Sequence, residues 1–187
     1  MDIITFNDTN PTNNQLIDQL GQNIQHCYQC GKCTAGCPVA FAMDVAPNQI
    51  VRMLQLGMLD EALRTETIWL CATCSTCSTR CPRGFDLAKL MDSLRTMALQ
   101  QGIQTHGRGR KVSLFNQLFL DSLRKYGRSY EMGMMLKYNL NLHNPFNHAK
   151  LGLDMISRGK LNLMPHKIKG SNEVLKIMEN IKKLEMK

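Results

Sequence analysis

The sequence predicts an all-α protein in two parts: a helical unit built around a repeated cysteine run, and a basic helical extension. Three observations predict this. Apolar residues recur at helical spacing in one segment after another, and little of the chain alternates with period two. All eight cysteines lie in two copies of one run, 44 residues apart. The charge is split: residues 1–100 carry 7 Lys/Arg against 9 Asp/Glu, and residues 101–187 carry 16 against 6, for a net charge of +8. At 187 residues and 43% hydrophobic content, the chain suits one domain plus an extension. No apolar stretch approaches the roughly 18 residues of a membrane span.

The elements follow in order. Asn7 to Asn14 is rich in turn and capping residues. A short helix from Asn14 to Asn23, with Leu16, Ile17, Leu20 and Ile24 at helical spacing, delivers the chain to the first cysteine run. Pro47 suits a first helical position; Ile50, Val51, Met53, Leu54 and Leu56 continue that helix and Gly57 ends it. A second short helix begins at Asp60. After the second run, Leu87, Leu90, Met91, Leu94, Met97 and Ala98 make the strongest helical stripe, stopped at Gly102. Gly102 to Lys111 reads as a linker with a basic tip. Helices are expected over Val112–Tyr126 (Phe115, Leu118, Phe119 and Tyr126 on one face, closed by Gly127), over residues 130–142, and from Pro145 to Gly159 through Leu153 and Ile156. Pro165 to Gly170 is a loop. A last helix runs from an Asn172 N-cap with Val174, Ile177, Met178, Ile181 and Leu184 on one stripe and Lys182, Lys183 and Lys187 near its C-terminus. The expected domains are 1–104 around the cysteines and 105–187 as a basic docking extension.

The cysteine spacing carries the chemistry. Cys27-x2-Cys30-x2-Cys33-x3-Cys37-Pro38 repeats as Cys71-x2-Cys74-x2-Cys77-x3-Cys81-Pro82. This is the run of two-cluster ferredoxins, in which three thiolates cap one iron–sulfur cube and the fourth ligates the other cube. Two [4Fe–4S] clusters are therefore expected. Cys27, Cys30, Cys33 and Cys81 would hold the first, and Cys71, Cys74, Cys77 and Cys37 the second. Each proline fixes φ, lacks an N–H and turns the chain away. Disulfides suit a secreted chain, yet Met1 to Phe6 shows no signal-peptide pattern. Structural zinc takes paired hooks rather than four cysteines in eleven residues. A cytoplasmic setting is expected, because no cysteine is spare. Two oxidised clusters, each adding about −2, would take the first hundred residues to about −6.

The remaining residues read more plainly. Thr73, Ser75, Thr76, Ser78, Thr79 and Arg80 line the second run, against Gly31, Lys32 and Gly36 in the first. Hydrogen bonds to cluster sulfurs raise a potential, so the second-run cluster is expected to be the higher. His26 is a neighbour of Cys27, not a ligand; His106, His143, His148 and His166 are structural or exposed. Trp69 either covers the second loop or sits in the core. The Arg108–Lys111 patch lacks the interleaved aromatics of a single-strand nucleic-acid groove, so a solvated or protein-docking role is expected. The methionines at 132–135 read as core or adaptable interface. There is no dinucleotide turn, no phosphate loop and no cysteine left for a nucleophile, so substrate chemistry belongs to another polypeptide.

The two runs, Cys27-Tyr28-Gln29-Cys30-Gly31-Lys32-Cys33-Thr34-Ala35-Gly36-Cys37-Pro38 and Cys71-Ala72-Thr73-Cys74-Ser75-Thr76-Cys77-Ser78-Thr79-Arg80-Cys81-Pro82-Arg83-Gly84, resemble the C-type iron–sulfur subunit of the soluble heterodisulfide reductase of methanogens. The likeness covers roughly residues 15–105 and lies within the broader helical ferredoxin-like class. That class also includes iron–sulfur subunits of succinate, glycolate and glycerol-3-phosphate dehydrogenases. The resemblance implies a polypeptide without a substrate site that relays electrons from a flavin-containing, bifurcating subunit to a separate catalytic one. The catalytic subunit bears C-C-G motifs and reduces the coenzyme M–coenzyme B heterodisulfide. Hydrogenase or formate dehydrogenase would lie upstream. This chain has no Cys-Cys pair, which agrees with the relay role and excludes the catalytic one.

Overall fold

The computed structural model describes residues 23–143, 149–160 and 164–185, and every regular element among them is helical. The all-α expectation holds. The helix expected from Asn14 falls, except for Asn23, outside the described residues, as do Pro145 and His148. The chain divides into two compact units between Val112 and Ser113.

The first unit begins with a 3-10 turn, Ile24–His26, and continues through α1 (Lys32–Ala35), a 3-10 turn (Ala40–Ala42), α2 (Pro47–Gln55), α3 (Leu59–Arg64), α4 (Thr67–Leu70), α5 (Thr76–Thr79) and α6 (Leu87–Gln100). α7 (Gly107–Tyr126) opens within it. The stripe read on α6 is its core face: Leu87, Leu90, Met91, Leu94, Met97 and Ala98 are each at most 5% exposed. They pack with Ile24 of the first 3-10 turn, with Ile50, Val51 and Leu54 of α2, with Leu63 of α3, and with Ile68 and Trp69 of α4. Burying each large aliphatic side chain contributes about 1.5–3 kcal/mol. Leu56 lies just past the helix rather than within it. It stands at the C-cap of α2, 46% exposed. Gly57 then turns the chain with φ +80°, and the Met58 N–H closes on the Met53 carbonyl at 2.9 Å.

Two carboxylates place elements that local patterns leave open. Asp44 accepts hydrogen bonds from the N–H groups of Val45, Glu66 and Thr67, all at 2.9 Å, and from the Thr67 hydroxyl at 2.7 Å. It clips the segment after the first cysteine loop to the start of α4. Burial alone would raise its carboxyl pKa; these hydrogen bonds outweigh that and hold it below the ordinary value. Glu66 does the same for α7, accepting from Arg108 N–H at 2.9 Å and Gly109 N–H at 3.4 Å. The stretch expected as a linker therefore becomes helical from Gly107. Its glycines serve close approach rather than slack. A Cβ on Gly107 would collide with the Glu66 carboxylate, and one on Gly109 would lie 2.8 Å from Thr105 Oγ1 and 3.1 Å from Glu66 Cα.

The second unit holds the remainder of α7, α8 (Glu131–Asn141), α9 (Ala149–Ser157) and α10 (Ser171–Glu185). Ser122 fixes the α7–α8 turn, accepting from Tyr130 N–H at 2.7 Å and donating to the Arg128 carbonyl at 3.3 Å. Phe115 stacks on Phe119 at 6.4 Å and meets Tyr138 edge-on at 6.2 Å. α10 starts one residue before the expected cap. The N–H groups of Glu173 and Val174 close on the Gly170 carbonyl, so Asn172 lies within the first turn. Its stripe is open: Ile177, Ile181 and Leu184 are exposed.

Candidate metal centre

The sequence repeat is also a backbone repeat. In the first loop Gln29 and Gly31 have φ of +61° and +74°; 44 residues on, Thr73 and Ser75 have +52° and +58°. One-turn helices follow at matching positions, α1 and α5. Their bonds correspond as well: Ala35 N–H to Gly31 O at 3.0 Å and Thr79 N–H to Ser75 O at 3.1 Å, then Cys37 N–H to Thr34 O at 3.1 Å and Cys81 N–H to Ser78 O at 3.3 Å. Left-handed conformations at Gln29, Thr73 and Ser75 are costly for residues with a Cβ and collect at functional sites. Such turns aim successive N–H groups into a concavity that suits phosphates and iron–sulfur centres. The loops therefore fit an anionic cluster in backbone as well as in ligand type.

The two loops face each other. α1 packs against α5, and the Arg80 side chain lies so close over Gly36 that a Cβ there would meet it at 2.7 Å. These two positions are equivalent in the repeat. One apolar-walled cavity is lined by Cys71, Cys74 and Cys77 together with Cys37 of the other run, closed by Met43, Leu87 and Met91. On the other side, Cys27 and Cys33 are electrostatic neighbours. Tyr28 is 59% exposed, yet loss of water around its hydroxyl, followed by the nearby Cys30 and Cys81 sulfurs, holds the phenol above its ordinary value. Cys30 and Cys74, again equivalent, are the exposed thiols, and the other six are half-buried. Among the described residues no three His, Cys, Asp or Glu side chains gather around a single ion.

Burial pushes the Cys33 and Cys77 thiols up, and each has a neighbouring hydroxyl, Thr34 or Ser78, that partly offsets it. The Thr76 hydroxyl, 3.4 Å from the Cys74 sulfur, pulls that thiol down. Gln29 Nε2 donates to the Cys27 sulfur at 3.5 Å. The Tyr28 hydroxyl also hydrogen-bonds the Cys30 sulfur, so the side chains on sulfur among the described residues are Gln29, Tyr28 and Thr34 in the first loop, and Thr76 and Ser78 in the second. Much of the hydroxyl lining expected of the second loop is engaged away from sulfur, in whole or in part. Thr79 donates to the Thr76 carbonyl at 3.0 Å, and Thr73 accepts from Arg95 at 2.7 Å. Ser78 donates to Asp86 at 2.5 Å and accepts from Ala88 N–H at 3.2 Å. That Ser78 bond, followed by N–H donors of α6, holds the Asp86 carboxyl low, and Asp86 caps α6 through Lys89 N–H at 3.1 Å. In the first loop Thr34 instead donates to Asn48 of α2 at 2.6 Å.

Of the other residues singled out, His26, His106, His143 and His166 are exposed. Trp69 is a core residue, 4% exposed, whose Nε1–H has no partner among the described residues. Sequence reasoning missed two side chains on the loops, Gln55 and Arg95. The Cys27 carbonyl accepts from Gln55 Nε2 at 2.8 Å, and the Cys71 carbonyl from Arg95 at 3.3 Å.

Comparison with known proteins agrees with this geometry. Residues 23–85 match the 4Fe-4S dicluster domain family. That segment contains both cysteine loops, and over it this helical chain is similar to iron–sulfur proteins of the dicluster class. Among curated proteins, the chain is 38% identical over 93 residues to the C-type iron–sulfur subunit of CoB–CoM heterodisulfide reductase from Methanopyrus kandleri, covering 50% of this chain and 48% of the relative. It is 38% identical over 87 residues to the second C-type iron–sulfur subunit of that reductase from Methanocaldococcus jannaschii, covering 46% of each. It is 41% identical over 81 residues to the C-type subunit of the ferredoxin:CoB–CoM heterodisulfide reductase from Methanosarcina acetivorans, covering 43% of this chain and 32% of the relative. The chain thus spans about half the length or less of these relatives, and over that span the resemblance read from the cysteine runs is borne out. No helix among the described residues is long and apolar enough to cross a membrane.

Proposed function

We propose that this chain is the electron-relay component of a heterodisulfide reductase complex. In this reading, Cys27, Cys30, Cys33 and Cys81 hold one [4Fe–4S] cluster, and Cys71, Cys74, Cys77 and Cys37 hold the other. The clusters supply one-electron transfer when bound. The surrounding residues 23–112 hold them close together, keep water from one side with the α6 face, and add no substrate group. The observation that carries the reading is the facing pair of matched loops, with Cys37 lining the cavity of the other run's cysteines. Relatives named as heterodisulfide reductase subunits, some with hydrogen or ferredoxin also in their names, support the complex. Electrons would pass from a flavin-containing, bifurcating subunit, fed by a hydrogenase or formate dehydrogenase, to a catalytic C-C-G subunit that reduces the coenzyme M–coenzyme B heterodisulfide. The basic residues 105–187 would dock the partner and set one cluster near it.

The test is untagged purification without oxygen. A flavoprotein and a C-C-G protein should copurify, and the assembly should reduce the heterodisulfide. Copurification with a glycolate- or glycerol-3-phosphate-type dehydrogenase, or salt-dependent retention on polynucleotide, would overturn the assignment.

A further inference from the structure

The two loops match in backbone and in exposure of their thiols, but not in the side chain that grips their first carbonyl. Gln55, on the helix after the first loop, donates Nε2 to the carbonyls of Cys27 at 2.8 Å and Ile24 at 3.1 Å. Arg95, on the helix after the second loop, donates Nη1 to the Cys71 carbonyl at 3.3 Å and Nη2 to Thr73 Oγ1 at 2.7 Å. The same structural task is done by a neutral amide on one side and a guanidinium on the other. Arg95 is 17% exposed, and its Nε is buried without a partner among the described residues.

Taking the two-cluster reading as its basis, we propose that Arg95 sets the order of the two potentials, holding the second-run cluster above the first. Gaining an electron adds one negative charge to a cluster. A fixed cation nearby favours that form, and a neutral amide does so far less. The opposing carboxylates are Asp86, bonded to Ser78 of the second loop, and, paired with Arg95 itself, Asp92, 3.2 Å from Nη2. The Asp92 side chain is 69% exposed, so water and salt screen it more than they screen Arg95. Lys32, Arg80 and Arg83 also lie on or beside the loops, but all three are exposed, and none grips a loop carbonyl among the described residues. Side chains on sulfur do not put the second-run cluster higher, since the first loop has Gln29, Tyr28 and Thr34 there against Thr76 and Ser78 in the second. Arg95 therefore makes the step from first-run to second-run cluster the downhill one.

The experiment is an EPR-monitored redox titration of the full chain, with iron content measured on each sample. The wild-type protein should show two resolved couples. Arg95→Gln, which copies the Gln55 side chain, should lower the higher couple. At a fixed potential its reduced-to-oxidised ratio should fall about tenfold, or 59 mV for one electron, with the lower couple unmoved. Arg95→Lys should retain most of the wild-type value. Gln55→Arg should raise the lower couple and narrow the gap. If Arg95→Gln keeps both clusters and moves neither couple, or moves the lower one, the proposal is overturned. The same holds if Arg95→Lys falls as far as Arg95→Gln, since geometry rather than charge would then be at work. If Arg95→Gln loses a cluster, Gln55→Arg decides, and an unmoved lower couple overturns the proposal. Fewer than two clusters in the wild-type protein would instead refute the two-cluster reading.

Discussion

Asp44 clips the segment after the first cysteine loop to α4, and replacing it by Asn tests how much of the first unit hangs on that clip. The carboxylate accepts four hydrogen bonds. In Asp44→Asn the remaining carbonyl oxygen can keep the Thr67 N–H and hydroxyl, but the Glu66 N–H then faces an amide that is itself a donor. One hydrogen bond to a charged acceptor is lost, about 1.5–3 kcal/mol. Asp44 is exposed, so water takes up part of that loss, and about 1–2 kcal/mol is expected. The sign with pH follows from the depressed carboxyl. A group whose folded pKa lies below its unfolded value stabilises fully above the ordinary carboxylate range near 4, and loses that contribution only as pH falls through the lower folded value. The gap between wild type and variant should therefore stay constant from about pH 5.5 to 8. Urea unfolding under anoxic conditions, followed by circular dichroism and by cluster absorbance, measures it. Equal midpoints at pH 7, or a gap that changes across that range, would refute the reasoning.

Leu94→Ala, at a fully buried position on α6, should cost about 2–5 kcal/mol in the same unfolding assay. Gly109→Ala should cost about 1–3 kcal/mol, because the new methyl meets Thr105 Oγ1 at 2.8 Å and the Glu66 backbone at 3.1 Å. Gly152→Ala, in α9 with nothing within 4 Å of the new methyl, should instead stabilise by about 0.5–1 kcal/mol. For the crossed ligands, Cys81→Ser should remove the EPR signal that Cys30→Ser removes, and Cys37→Ser the one that Cys74→Ser removes. The opposite pairing would show that each run holds its own cluster.

The parts of this molecule written in local pattern are legible in the sequence. Six apolar residues of α6 recur at helical spacing, and all six are buried. The cysteine spacing repeats, and the backbone follows the repeat. What escapes depends on partners distant in sequence. α7 starts at Gly107 because Glu66, more than forty residues earlier, caps it, and nothing local signals that cap. α1 and α5 are a single turn each, too short for any period to show. The hydroxyls of the second loop suggest a lining turned toward sulfur, but Thr73, Ser78 and Thr79 bond to Arg95, Asp86 and the backbone. Arg95 sits three residues from Asp92 and reads in sequence as an ordinary surface pair. Only the fold brings its guanidinium to the Cys71 carbonyl. The stripe on α10 has the right period but remains open, because periodicity marks a face without supplying what covers it.

Iron decides the central claim. Protein prepared without oxygen, assayed for iron and acid-labile sulfide per chain alongside quantitative EPR of the reduced state, should give about eight of each and two cubane signals. About four of each and one signal, or stoichiometric zinc with neither, would contradict a pair of clusters.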